Sequence, residues 1–170
     1  MPHRPRTLIA AALLALGLVG GTASSHAAAD WSGYGNPRFC YVVDVPPGFA
    51  VTSEADNGDG ATLDSAETGA RLLAWGTNLA EGDFASDVAG RVESYGKEGW
   101  NVTLQRVAAG HASVSGSKGG QIVYLRGIDL GGDQAAYVEI TYPQAQVKAF
   151  DPIIDRLARS LAKGKDCGAR

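Results

Sequence analysis

QIVYLRGIDLGGDQAAYVEITY, residues 121–142, is the part of the sequence that indicates the fold most clearly. Two runs rich in β-branched and aromatic residues flank Gly131-Gly132, a pattern typical of a β-hairpin. The second run alternates, which places four apolar side chains on one face: Ala136, Val138, Ile140 and Tyr142. Pro143 cannot donate to a strand ladder, so the second strand should end there. We therefore predict this hairpin at the middle of an antiparallel sheet.

Outside the hairpin, apolar runs bounded by turn residues predict six further strands, over 39–45, 49–54, 61–65, 70–75, 100–108 and 111–116. The first of them places apolar side chains on one face: Phe39, Tyr41, Val43 and Val45. Pro46-Pro47-Gly48 ends this strand, because prolines donate no ladder hydrogen bond and Gly48 permits a sharp turn.

Two helices are predicted from 3.6-residue periodicity. The first has Asp83 as its N-cap and closes at Gly99, and its apolar face is Phe84, Val88, Val92 and Tyr95. The second covers 145–163, with an apolar stripe of Val147, Phe150, Ile154, Leu157 and Leu161. Because proline disrupts a helix interior, we expect a break or kink at Asp151, with Asp151 as cap and Pro152 opening the longer piece.

The element order is therefore β-β-β-β-α-β-β-β-β-α, and short turns between strands require antiparallel pairing. This order predicts a single α+β domain over residues 39–163, with a twisted antiparallel sheet of about six to seven strands packed against two main helices. A flexible, Gly-rich lead-in is expected over 30–38. The C-terminal tail, 164–170, carries Cys167.

Several local phrases resemble the PsbP, Mog and DcrB-like group of α/β sandwiches. They are the opening at 39–49 with its Pro-Pro-Gly stop, Val123-Tyr124, Tyr142-Pro143, and the helix end Ala158-Arg159-Ser160-Leu161. The resemblance covers about residues 39–162 and implies non-enzymatic roles, either binding a partner protein or stabilising a complex. No functional site of PsbP proteins can be mapped onto this chain, so no functional residue is assigned from the resemblance. A shared fold does not by itself determine a function.

Residues 1–29 have the pattern of a signal peptide. Arg4 and Arg6 precede an apolar stretch at 8–19 that is too short for a membrane span, and Ala27-Ala28-Ala29 offers a cleavage site. The alternative is an uncleaved anchor. No cysteine lies at the cleavage point, so the lipid anchor of DcrB-like lipoproteins is not expected. We predict an exported protein, periplasmic or secreted, without a membrane span after cleavage.

The only two cysteines are Cys40 and Cys167. In an oxidising compartment two cysteines most simply form one disulfide, with two unpaired thiols as the alternative. The predicted bridge joins the first strand to the tail after the last helix.

The charge distribution bears on the kind of partner. The chain has 18 acidic and 15 basic residues, and 11 of the acids but only three bases lie in 44–98. No dense basic patch exists in either half, which disfavours nucleic-acid binding. The acidic 44–98 half is instead a candidate surface for a basic protein partner. The sequence does not predict an oligomeric state.

A search for reactive groups assigns no catalytic residue. His111 is the only histidine after residue 29, and a Ser-His-Asp site would need it beside Ser113, Ser115 or Ser117. No G-x-S-x-G elbow occurs, and a disulfide would remove Cys40 as a nucleophile.

No cofactor or metal site is assigned either. Residues 56–60, Asp-Asn-Gly-Asp-Gly, have the composition of a calcium loop but not its spacing, and a turn between strands explains them. Residues 116–120 contain lysine and glycines but precede a strand rather than a helix, so they do not form a phosphate loop.

These observations favour an exported, non-catalytic binding or assembly module. The alternative is a small-ligand binder or hydrolase with a cleft that cannot be identified from sequence.

Overall fold

A computed structural model describes residues 30–80 and 83–165. The main sheet has seven antiparallel strands in the order β3-β4-β5-β9-β8-β7-β6. Their bounds are β3 Ala50–Glu54, β4 Gly60–Asp64, β5 Arg71–Asn78, β6 Asn101–Ala108, β7 His111–Lys118, β8 Gln121–Asp129 and β9 Gln134–Pro143. The predicted α+β class and strand number are confirmed, and β9 lies at the centre of the sheet.

The predicted hairpin is formed by β8 and β9, which pair in register from Asp129↔Ala135 to Gln121↔Pro143. Gly131 and Gly132 both have positive φ, at 77° and 63°, which a non-glycine side chain rarely adopts. The hairpin prediction is confirmed, and the second strand ends at Pro143 as expected.

A smaller sheet of three strands packs beside the first, in the order β1-β2-β10. It consists of β1 (Ser32–Asn36), β2 (Tyr41–Val45) and β10 (Ala162–Lys163). The structure corrects the prediction of a loose lead-in, because β1 pairs with β2 along all five of its residues. Strand β10 was also not predicted; it pairs with Val42 and Tyr41 of β2.

The first helix, α1, spans Phe84–Lys97 and is capped as predicted. The side-chain oxygen Oδ1 of Asp83 accepts a hydrogen bond from the backbone N–H of Ala85 at 3.0 Å. Gly99 follows the helix with φ of 88°, the left-handed conformation expected for its end.

The second helix, α2, spans Val147–Ser160 without the predicted break. Pro152 lies inside it, so the expectation that Asp151 caps a separate piece is wrong. The missing N–H of Pro152 would have bonded the carbonyl of Lys148, which lies in the first turn at an exposed residue that water can reach. Phe150 and Leu157 are buried on either side of the proline, and their burial holds the helix continuous.

Each face of the main sheet carries its own apolar core. On the front face, α1 covers β7, β8 and β9 through Phe84, Val88 and Tyr95. On the rear face, α2 and the smaller sheet cover β4, β5 and β9. The elements that pack on the two faces are therefore offset from each other. Among the described residues, the front faces of β4 and β5 and the rear faces of β6 and β7 are left without a packed helix or sheet.

Neither helix in the described part of the chain is long and apolar enough to cross a membrane.

Candidate functional site

The open half of the front face forms a shallow cleft beside α1, which we call the front cleft. One depression of about 170 Å³ is lined by Trp75, Arg91, Ser94, Tyr95, Glu98 and Glu139. A neighbouring depression of about 280 Å³ shares Trp75 and continues across β4 and β5, past Leu73 and Thr62. Trp75 and Leu73 are partly buried on this face, while their neighbours Leu72 and Ala74 are buried behind. The cleft thus presents apolar surface that no other part of the described chain covers.

Glu139 marks the boundary of the α1 cover. On one side it pairs in register with Leu73, which lies in the open cleft. On the other side it pairs with Leu125, which is buried under α1. The hydroxyl of Tyr95 donates a hydrogen bond to Oε2 of Glu139. Burial raises the pKa of the Glu139 carboxyl above its ordinary value, partly offset by this hydrogen bond. A carboxyl group on a central strand is therefore held at the rim of the cleft.

Arg91 is held in place by aromatic and acidic neighbours. Its guanidinium lies 4.0 Å from the ring centroid of Tyr137 and 5.3 Å from that of Trp75. Its Nε is 2.7 Å from Oδ2 of Asp87, which also accepts a hydrogen bond of 2.6 Å from the Tyr137 hydroxyl. Arg91 forms its ion pair with Asp87, and its positive charge also slightly lowers the pKa of Glu139, so it compensates the glutamates of the cleft only in part.

Ion pairs compensate part of the negative charge that the sequence places in the 44–98 half. Five of its acids contact a base within 4 Å: Asp44, Asp59, Asp64, Asp87 and Glu93. Among the described residues of this half, Glu54, Asp56, Glu67, Asp83 and Glu98 form no ion pair, and Asp83 caps α1. The unpaired acids of this half are therefore fewer than its sequence shows; one of them, Glu98, lies at the front cleft together with Glu139 from the other half of the chain.

His111 and the three serines share one face of β7 but do not form a catalytic arrangement in the described structure. His111 is exposed at the first position of the strand. The Ser113 oxygen lies 3.1 Å from the Tyr124 hydroxyl, and the Ser115 hydroxyl donates to the carbonyl of Val123 at 3.1 Å. These hydroxyls are engaged with β8 rather than with His111.

The two loops tested for ion binding are turns. In 56–60, the Asn57 side-chain oxygen accepts from the backbone N–H of Asp59 at 3.2 Å, and Asp59 pairs with Arg38 at 2.9 Å. Gly119 and Gly120 join β7 directly to β8. Within 30–80 and 83–165 no three His, Cys, Asp or Glu side chains are grouped as metal ligands.

Cys40 lies next to the strand that leads into the C-terminal tail. Its Sγ is 3.4 Å from the carbonyl oxygen of Gly164, and its own carbonyl accepts a hydrogen bond of 2.7 Å from the Gly164 N–H. Cys167, three residues further along the chain, is outside the described residues. The disulfide therefore stays a prediction, and the position of Gly164 is compatible with it.

Glu139 and Trp75 were not predicted to belong to one site. The one feature of the sequence that could have indicated the site is the charged residue at 139 in an otherwise apolar central strand. Trp75 lies in the predicted strand 70–75, and its ring stacks on Tyr137 at 5.4 Å between centroids.

The strand order and the two offset covers define an α/β sandwich with a PsbP/Mog-like fold, which confirms the predicted resemblance at the level of the fold. No protein-family model matches the sequence, and no curated protein is significantly similar to it. The similarity is therefore one of structure, and the solved structures that show it include those of two proteins.

The first is the solution structure of cyanobacterial PsbP (CyanoP) from Synechocystis sp. PCC 6803. It matches with a TM-score of 0.61 and 11% identity, over 89% of this chain and 98% of that chain. The second is the Ran-binding protein Mog1p of Saccharomyces cerevisiae, with a TM-score of 0.60 and 10% identity, over 79% of this chain and 95% of that one.

The raised pKa of Glu139 predicts a pH dependence of stability. Because the folded state holds the proton more tightly than the unfolded chain, the contribution of Glu139 to stability is greatest below its unfolded pKa and is lost as pH rises through the folded pKa. Glu139→Gln removes the charge, while its amide oxygen can still accept from Tyr95. Urea unfolding from about pH 4 to pH 8 should show the wild type losing stability relative to the variant. A constant difference over that range would contradict the assignment.

Proposed function

We propose that this chain is an exported, non-catalytic binding module that receives a basic segment of a partner protein in the front cleft. The observation that carries the proposal is the partly buried Trp75 and Leu73 beside the carboxylates of Glu98 and Glu139, on the half of the front face that α1 leaves open. Open apolar surface rimmed by polar groups is typical of interaction sites.

The chemistry of the cleft favours a lysine or arginine side chain from the partner. Such a side chain can lay its apolar stem on Trp75 while its charged end reaches Glu98 or Glu139. Arg91 is already paired with Asp87, so the net charge left in this depression is negative when both glutamates are ionised. Complementary charge of this kind raises association rates and selects the partner.

The structural neighbours support a binding role without specifying the partner. Mog1p, which shares the fold over most of both chains, is described as a Ran-binding protein. A fold of this type can therefore serve as a protein-binding module, although the residues that bind need not correspond at this low identity.

Export is part of the proposal. The signal-like segment at 1–29 directs the chain to the periplasm or to the outside, and Cys40 and Cys167 form a disulfide there.

Affinity capture at graded salt tests the proposed binding. The bait without residues 1–29 should retain a protein at low salt and release it as salt rises, since screening weakens exposed charge pairs. The captured protein should then be purified and its Kd for the bait measured directly. We expect the double change Glu98→Gln with Glu139→Gln to weaken binding about tenfold or more.

The matched control is Glu67→Gln, which removes an unpaired acid from the same half at the turn between β4 and β5, outside the cleft lining. Capture of a protein whose affinity is unchanged by the double substitution would reject the front cleft. Equal loss in Glu67→Gln would indicate general charge attraction instead of the proposed site.

A further inference from the structure

The rear face of the sheet carries a second polar surface, on β6, β7 and β8 beyond the cover of α2. Arg106, Ser113 and Arg126 lie directly opposite one another in consecutive strands. Directly opposed residues of antiparallel strands project from the same face, so these three side chains form one row. Tyr124 and Ser115 form the adjacent row in the same way. We call the set Arg106, Ser113, Tyr124 and Arg126 the rear cluster.

Hydrogen bonds fix part of this cluster. Nη1 of Arg126 donates to the Ser113 hydroxyl at 3.2 Å, and that hydroxyl lies 3.1 Å from the hydroxyl of Tyr124. The ring of Tyr124 packs against the rear core, which anchors the arrangement from below. The guanidinium of Arg126 is therefore positioned before any ligand arrives, which lowers the entropic cost of binding.

The charges of the cluster are not compensated by nearby acids. In the described part of the chain neither Arg106 nor Arg126 forms an ion pair, whereas the guanidinium groups of Arg38, Arg71, Arg91 and Arg156 each contact a carboxylate. Nε of Arg126 is buried and has no hydrogen-bond partner among the described residues. A partly buried arginine without a counter-charge is unfavourable.

We propose that the rear cluster binds a small tetrahedral oxyanion, either a free phosphate or sulfate ion or the same group carried on a small molecule. The planar guanidinium of Arg126 presents Nη–H donors to such oxygens, and the exposed Arg106 supplies a second charge from the edge strand β6, two strands away. One of the two hydroxyls of Ser113 and Tyr124 donates to the other, so one O–H remains to donate to the anion from below. This site is on the opposite face from the front cleft and does not depend on a protein partner.

The site can be tested by titrating the folded protein with inorganic phosphate while its amide chemical shifts are measured by NMR. We expect saturable shifts centred on Ser113, Tyr124 and Arg126. Arg126→Gln and Arg106→Gln should each weaken the fitted affinity about tenfold. If Arg126→Gln does not fold, Arg106→Gln at the exposed edge decides the outcome.

The control is Arg159→Gln, which removes an exposed arginine of α2 that also forms no ion pair in the described structure. Unchanged affinity in this control supports a localised site, while an equal loss would overturn it as general attraction. Parallel titrations with sulfate, glycerol phosphate and citrate separate the ligand types. Tighter binding of glycerol phosphate than of phosphate would identify a phosphomonoester, and binding of citrate without phosphate would overturn the tetrahedral assignment.

Discussion

Replacing Phe150 by alanine should destabilise the protein by about 3–5 kcal/mol, as is usual for removing a buried aromatic side chain. Phe150 is 1% exposed, and its ring stacks on Tyr142 with 4.3 Å between centroids and an angle of 8°. This contact joins α2 to the central strand β9. Removing the Phe150 ring removes buried apolar surface and leaves a cavity between α2 and β9, which cannot easily move together to fill it.

Equilibrium unfolding in guanidinium chloride measures this effect. Lys148→Ala, an exposed change in the same turn of α2, is the control and should shift the free energy of unfolding by less than about 0.5 kcal/mol. A loss below about 1 kcal/mol for Phe150→Ala would show that α2 does not contribute to the rear core as described.

Replacing Cys40 by serine should lower stability by about 2–5 kcal/mol under oxidising conditions, if the proposed disulfide with Cys167 forms. The bridge would close a loop over most of the described domain and so reduce the conformational freedom of the unfolded chain. It would also hold the tail close to β2, where Gly164 already bonds to Cys40.

Reduction supplies the control for this prediction. A reducing agent should bring the wild type down to the stability of Cys40→Ser and leave the variant unchanged. Mass spectrometry of the oxidised wild type should show a mass lower by two hydrogen atoms than that of the reduced form. If both thiols of the oxidised, folded protein can be alkylated, the predicted disulfide does not form.

Local patterns in the sequence were sufficient for most of the fold. Gly131-Gly132 located the central hairpin, because positive φ at both positions is needed where β8 turns into β9. The alternation from Phe39 to Val45 identified a face that is buried at every second residue. Asp83 located the start of α1 through a hydrogen bond made within one helical turn. In each case the decisive interaction is between residues close in the chain.

The errors have a common cause in long-range packing. Strand β1 is Gly-rich and has no alternating apolar pattern, and it is a strand because β2 offers a full ladder of partners. The break expected at Pro152 did not occur because the core contacts of Phe150 and Leu157 outweigh one missing hydrogen bond. Neither effect can be read from neighbouring residues alone.

The candidate site was predicted only as a region. Sequence placed the acids in 44–98, but five of them are paired with bases, two of which, Arg38 and Arg156, lie outside that segment. Glu139, which belongs to the other half of the chain, completes the front cleft because β9 lies beside β5.

The α+β class, the central hairpin and the capped helix could be predicted from the chain alone, because each depends on periodicity or on hydrogen bonds between near neighbours, and the acidic bias follows from composition. Which acids remain unpaired and which faces of the sheet remain uncovered depends on the tertiary structure. Both depend on contacts between residues up to more than a hundred positions apart, such as Arg156 with Asp44. Such contacts cannot be predicted from neighbouring residues. They are set by the pairing of the strands and by the positions of the two helices on opposite faces of the sheet.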